Sequence, residues 1–84
     1  MRLVSGSKGL RALSSLTPGE RGIVHRVQAH AGDRVDRLMA LGVTAGAPVT
    51  VLQTFPGIVF LCDQTELAVE RTVADTILVK LAEG

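Results

Sequence analysis

The stretch Asp33-Arg-Val-Asp-Arg-Leu-Met-Ala-Leu-Gly-Val43 predicts a helix with both ends marked. Asp33 can cap the first turn by accepting a backbone N–H bond, and Gly42 stands where a helix commonly ends in the left-handed conformation. The apolar residues expected to form one buried face are Val35, Leu38, Met39 and Leu41. A helix of about nine residues is too short to be stable by itself in water, so the rest of the chain must cover its apolar face.

Most of the remaining sequence has the short apolar runs and polar breaks of β-strands. The predicted strands are residues 22–28, 49–54, 58–62, 66–71 and 76–81. Closing short strands into a barrel removes the open edges that invite aggregation. We therefore predict a mainly β fold: a small SH3-like β-barrel of about five strands, with one short α-helix inserted after the first strand.

The alternation of apolar and polar residues predicts which side chains face the core. In the first strand, the face that carries Ile23, His25 and Val27 is less polar than the other face. We therefore expect Ile23 and Val27 to point inward. In the last two strands, the residues expected to point inward are Leu67, Val69, Ile77, Val79 and Leu81.

Composition places the chain among small globular domains. Its 84 residues are 46% hydrophobic and carry a formal net charge of +1, with two Phe, no Trp, no Tyr and one Cys. Because there is neither a row of aromatic residues nor a basic stripe, we expect no nucleic-acid binding. The longest uninterrupted apolar run, residues 58–62, is far shorter than the roughly 20 residues of a membrane span. We expect a cytoplasmic protein without direct membrane insertion.

The beginning of the sequence differs from the rest in charge and composition. Arg2, Lys8 and Arg11 lie among small and polar residues, and no acidic residue accompanies them. We expect residues 1–12 to form a flexible basic tail and residues 13–82 to form the barrel domain.

Several segments, taken in order, resemble the FeoA family. They are Leu16-Thr-Pro-Gly-Glu20, Ile23, Arg37-Leu-Met-Ala-Leu-Gly-Val-Thr-Ala-Gly46 and Val49-Thr-Val51. Residues 65–79 are similar to the closing pattern of the family, in which an aliphatic strand leads to a one-turn helix and then to an Ile-x-Val strand. The positions that carry this resemblance as structural residues are Gly19, Leu38, Leu41, Gly42, Gly46 and Ala74. Of these, Leu38 and Leu41 are expected to fill the core, and Gly42 is expected to end the helix.

The resemblance implies an SH3-like barrel, related to the C-terminal domain of DtxR-type repressors. It also implies a non-enzymatic accessory or regulatory role in bacterial ferrous iron uptake and iron homeostasis. The implied partner is FeoB, a membrane iron transporter with a cytosolic GTPase domain. One alternative is a free-standing module that binds or senses a transition metal, like the repressor barrel. Another is a module that associates with itself as a homo-oligomer.

The candidate residues of a partner-binding surface are Arg37, Phe55, Pro56 and Gly57. We expect Arg37 to point away from the buried face of the helix, where it can pair with Asp33 one turn earlier or contact a partner. Phe55 and Pro56 either cover one end of the barrel or form an exposed apolar contact of the kind that anchors protein interfaces.

Neither a catalytic site nor a metal site is predicted. His25 and His30 are the candidate ligands if iron or zinc binds weakly, but no third ligand stands at a motif spacing from them. Cys62 ends an apolar run, and an apolar setting raises the pKa of a thiol, so we expect Cys62 to be inert. The sequence contains no paired nucleophile and base and no phosphate-binding loop, and we therefore predict no enzymatic activity.

Overall fold

One antiparallel sheet organises the chain in our computed structural model, which describes residues 10–28 and 33–82. Its strands are β1 (Leu10–Ala12), β2 (Arg21–Val27), β3 (Pro48–Gln53), β4 (Ile58–Cys62), β5 (Thr65–Val69) and β6 (Ile77–Leu81). Within the sheet these six strands lie in the order β1-β6-β2-β3-β4-β5. The helical segments of the described residues are a 3-10 turn (Leu13–Ser15), α1 (Asp33–Ala40) and α2 (Arg71–Ala74).

The mainly β prediction is confirmed, and each of the five predicted strands is present to within a few residues. The sixth strand, β1, pairs with β6 through Leu10 and Lys80 and through Ala12 and Leu78. At these three residues the structure therefore has a strand where the sequence predicted a tail, while residues 1–9 lie outside the described part. A strand of three residues with mostly exposed side chains is too short to produce a recognisable alternation.

The inward face of β2 differs from the prediction. Val24 is buried, whereas Ile23 is 44% exposed, so the expectation for Ile23 was wrong. The register between β2 and β6 shifts between Val24 and Arg26. This bulge inserts one residue into the strand, which reverses the alternation of faces, and Val27 consequently packs against the core as well.

The buried residues of the sheet, the 3-10 turn and the helices form one hydrophobic core. Its members are Leu13, Leu16, Val24, Leu38, Val43, Val49, Val51, Ile58, Phe60, Cys62, Ala74, Ile77 and Val79. Around it pack partly buried residues that include Leu67, Val69 and Leu81. The inward residues predicted for β5 and β6 are therefore confirmed.

Gly22 allows β2 and β6 to approach each other closely. The residue is buried, and a Cβ atom at this position would collide with the backbone carbonyl oxygen of Lys80 and lie 2.6 Å from Cγ1 of Val79. Because a backbone oxygen cannot move aside as the end of a flexible side chain can, glycine is required at this position of β2.

The end of α1 is a Schellman motif. Gly42 has a φ of +95°, its N–H donates to the carbonyl of Met39 at 3.0 Å, and the N–H of Val43 donates to the carbonyl of Leu38 at 2.9 Å. Leu38 and Val43 are both buried, which is the hydrophobic contact that accompanies this motif. Leu41 and Met39, in contrast, are 46% and 53% exposed, so the expectations that Leu41 fills the core and that Met39 lies on the buried face of the helix were wrong. The motif turns the chain at Gly42, and Val43 enters the core in place of Leu41.

The other two glycines of the predicted motif lie in turns. Gly19 and Gly46 also have φ values of +95°. Each is the third residue of a turn closed by a backbone hydrogen bond, from Glu20 to Thr17 and from Ala47 to Thr44, both at 3.0 Å. A positive φ at the third residue of such a turn is typical of type II. Of the helices in the described part of the chain, none has the length and apolar character needed to cross a membrane.

Candidate partner-binding surface

The loop between β3 and β4 presents an aromatic side chain to solvent. Phe55 is 81% exposed, whereas Phe60 on β4 is fully buried. The base of the loop is held by Arg71, whose guanidinium donates to the carbonyl of Thr54 at 2.5 Å and to the carbonyl of Ser14 at 3.4 Å. The exposed ring therefore sits on a loop whose first residue is attached to both α2 and the 3-10 turn.

A groove of about 320 Å³ lies between the end of α1 and β5. The lining residues are Arg37, Leu38, Leu41, Ala68, Val69, Glu70 and Val73. The exposed side chain of Leu41 borders this apolar groove, and the exposed charged residues Arg37 and Glu70 also line it. A surface of this kind suits an apolar group flanked by polar or charged groups.

Val69 connects the groove to the loop. It lines the groove and pairs with Ile58 across the ladder between β4 and β5. A Cβ atom built on Gly57 would lie 3.5 Å from the carbonyl oxygen of Val69. The predicted residue Arg37 thus lines the groove. Gly57, the last residue of the predicted Phe55-Pro-Gly57 segment, lies next to Val69, which lines the same groove.

Of the residues that line the groove, the sequence placed only Arg37 on the partner-binding surface. Leu41 was assigned to the core, and neither Glu70 nor Val73 was singled out, although both line the groove. The groove joins the end of a helix to a strand and a second helix about thirty residues later in the chain. Periodicity within one element carries no signal for such a juxtaposition.

Cys62 lines a second depression, of about 500 Å³, that Leu41, Asp63 and Thr65 also line. The thiol is 2% exposed, and its Sγ lies 3.5 Å from the carbonyl oxygen of Gly42, to which it can donate. Burial raises the pKa of Cys62, and the negative charge of Asp63 raises it further. Since the thiolate is the reactive form, this environment agrees with the inert cysteine that the sequence predicted.

The described residues contain no group of three or more His, Cys, Asp or Glu side chains that could hold a metal ion together. His25 is exposed on β2, at the bulge opposite β6. The second candidate ligand, His30, lies outside the described residues.

Comparison with known proteins agrees with the fold and the motifs. The FeoA domain model matches residues 11–81. A relative from Leptolyngbya boryana, provisionally named Fe(2+) transport protein A, is 32% identical over 72 residues, which are 84% of this chain and 88% of the relative. The solution structure of the FeoA protein from Chlorobium tepidum is 36% identical with a TM-score of 0.77, over 87% of this chain and 71% of that one.

Two further structures bear on the fold. FeoA of Stenotrophomonas maltophilia, described as a prokaryotic SH3 domain protein and solved with zinc, is 26% identical with a TM-score of 0.73, over 81% of this chain and 87% of that one. A manganese-dependent transcriptional repressor shares the fold at a TM-score of 0.81 and 20% identity, over 87% of this chain and 42% of the repressor. With an SH3-like barrel, a family model that covers nearly all the described residues and a relative that spans most of its length, this chain is a member of the FeoA family.

Proposed function

We propose that this chain is a non-enzymatic accessory protein of bacterial ferrous iron uptake, and that it acts in the cytoplasm by docking on the cytosolic, GTPase-containing part of the FeoB transporter. Membership of the FeoA family supports the proposal, because this family takes part in ferrous iron transport. The observation that carries the docking step is the exposure of Phe55, on the loop whose Gly57 lies next to the groove residue Val69.

An exposed Phe on an anchored loop is a source of binding free energy. Moving a side chain of this size fully from water into an apolar contact stabilises a complex by about 1.5–3 kcal/mol. Aromatic residues and Arg are enriched among the few residues that dominate protein interfaces. Phe55 and Arg37 are residues of these two types, and Arg37 lines the groove together with the apolar residues Leu41 and Val73.

Regulation of a transporter requires more than contact. A bound protein shifts the equilibrium between two states of its partner only by the difference between its affinities for those states. The accessory role therefore requires that the surface formed by Arg37, Phe55, Pro56 and Gly57 bind one state of FeoB more tightly than the other. Comparing the affinity for the GTP-bound and GDP-bound cytosolic domain measures this difference.

Binding of the FeoB cytosolic domain from the same organism to immobilised protein tests the surface. We expect Arg37→Ala combined with Phe55→Ala to weaken binding by at least about tenfold, equivalent to about 1.4 kcal/mol. Arg21→Ala combined with Ile23→Ala is the matched control, because both residues are exposed on β2. Unchanged binding by the first double variant would exclude the surface.

An absence of binding by the wild-type protein would contradict the proposed function itself. In that case, a rise of Tm on adding Fe(II) or Zn(II) would favour the alternative of a metal-sensing module, because a ligand that binds only the folded state stabilises it.

A further inference from the structure

The outer side of β5 is a free strand edge in the described part of the chain. β5 stands last in the strand order and pairs with β4 alone. A turn of two residues, Asp63 and Gln64, joins the two strands, so Cys62 and Thr65 form the first hydrogen-bonded pair of the ladder. Hydrogen-bonded pairs recur at every second residue of an antiparallel ladder, so the backbone groups of Leu67 and Val69 also point toward β4.

The backbone groups of Glu66 and Ala68 therefore point away from β4. Among the described residues, no backbone hydrogen bond from another element reaches either of them. The edge at Ala68 opens into the groove that Leu41 and Val73 line. A row of unpaired N–H and C=O groups is a template for an additional strand, and here the apolar groove beside it can receive one of the side chains of that strand.

Charge on the edge selects the kind of strand that fits. Glu66 and Glu70 flank Ala68 on the same face, and both are exposed. If a second copy of this chain paired antiparallel around Ala68, each Glu66 would stand opposite Glu70 of the other copy. Like charges directly opposite each other destabilise a pair of strands, whereas Lys or Arg at those positions would stabilise it.

We propose that the free edge of β5 binds an extended segment of a partner protein as an additional antiparallel strand. The segment carries Lys or Arg opposite Glu66 and Glu70 and places an apolar side chain against Leu41 and Val73. Arg37 lines the same groove, where its guanidinium can donate to a backbone carbonyl of the bound segment. Strand addition of this type derives its affinity from main-chain hydrogen bonds and its specificity from alternate side chains.

The identity of the partner, FeoB, rests on the proposed function above, whereas the binding of a basic strand at this edge is argued from the residues of this chain alone. Ala68→Pro removes the outward N–H at the centre of the edge, and proline is tolerated at positions of this kind on an edge strand. Ala68→Ser keeps the N–H and is the matched control. We expect Ala68→Pro to weaken binding of the FeoB cytosolic domain about tenfold or more, equivalent to about 1.4 kcal/mol, and Ala68→Ser to bind like the wild type.

These outcomes separate the two proposals. If Ala68→Pro keeps the wild-type Tm and also the wild-type affinity, strand addition is overturned while docking on FeoB stands. If the wild type does not bind the FeoB domain, the proposed function is overturned. Whether the edge of β5 binds an additional strand is then tested with a probe that does not depend on FeoB.

That probe is a hexapeptide of alternating lysine and valine with an acetylated N-terminus and an amidated C-terminus. The control is the same peptide with glutamate in place of lysine. This probe also decides the matter if Ala68→Pro does not fold. At a lysine peptide concentration about ten times Kd, we expect hydrogen exchange of the Glu66 and Ala68 amides to slow about tenfold, while exchange of the Leu67 amide, already bonded to β4, changes little. Unchanged exchange at Glu66 and Ala68, or equal slowing by the glutamate peptide, would overturn the proposal.

Discussion

The guanidinium of Arg71 donates a hydrogen bond to the carbonyl oxygen of Thr54 at 2.5 Å. This bond joins the first residue of α2 to the residue that precedes Phe55. Ser14, in the 3-10 turn, accepts from the same guanidinium and also donates through its hydroxyl to the carboxylate of Asp75. The loop that presents Phe55 is thus attached at its base to two other elements of the fold.

We expect Arg71→Ala to loosen this loop. Losing the bond to Thr54 should lower the free energy of unfolding by about 1 kcal/mol and speed hydrogen exchange at the amides of Phe55 and Gly57. Urea denaturation and amide exchange measure the two effects. Arg21→Ala, which removes an exposed arginine on β2, is the control, and equal exchange in both variants would contradict the attachment.

Truncating the two phenylalanines to alanine should have very different effects on stability. Phe60 is fully buried and Phe55 is 81% exposed. Phe60→Ala should lower the free energy of unfolding by about 3–5 kcal/mol, because it leaves a cavity in the core. Phe55→Ala should change it by less than about 0.5 kcal/mol. Urea denaturation of both variants measures this contrast, and a large loss with Phe55→Ala would mean that the ring packs against the fold.

Gly42 should tolerate substitution according to how well the new residue adopts a positive φ. At a φ of +95°, Gly42→Ala should cost about 1–2 kcal/mol of stability. Gly42→Asn should cost less, because Asn enters the left-handed region more readily. Thermal unfolding of the two variants checks this order, and equal Tm values would show that α1 can end without the Schellman motif.

Glu20 should make stability depend on pH in the acidic range. The N–H of Thr17 donates to its carboxylate at 2.8 Å, and this bond is the main reason that the pKa of Glu20 is lowered. A lowered pKa in the folded state stabilises the fold above the unfolded-state pKa, and the contribution is lost as pH falls through the folded-state value.

The measurement compares the wild type with Glu20→Gln, in which an amide oxygen replaces the carboxylate oxygen as the acceptor and the negative charge is removed. We expect the wild type to be the more stable at neutral pH and the two stability curves to converge as the carboxylate is protonated. A difference that stays constant down to low pH would contradict the role of the charge.

Much of the fold could be predicted from the sequence because the relevant signals are local. The strands and the end of α1 follow from alternation and from capping chemistry within a few residues. The candidate site could be predicted less completely. Arg37 and Phe55 were predicted as partner-binding residues because neither has an evident role in the core. Leu41 was wrongly assigned to the core. The free edge of β5 was not predicted, because a closed barrel was expected.

By itself, the sequence determined where the helix must end, which segments form strands and that an apolar core must cover α1, since these depend on residue type and local spacing. Only the tertiary structure decided the rest. A bulge after Val24 reversed the faces of β2, and the turn at Gly42 placed Val43 in the core and Leu41 at the surface. The groove brings Arg37 together with Ala68, Val69, Glu70 and Val73. The sequence could not show this, because contacts between distant parts of the chain depend on how the elements pack and produce no periodicity within any one element.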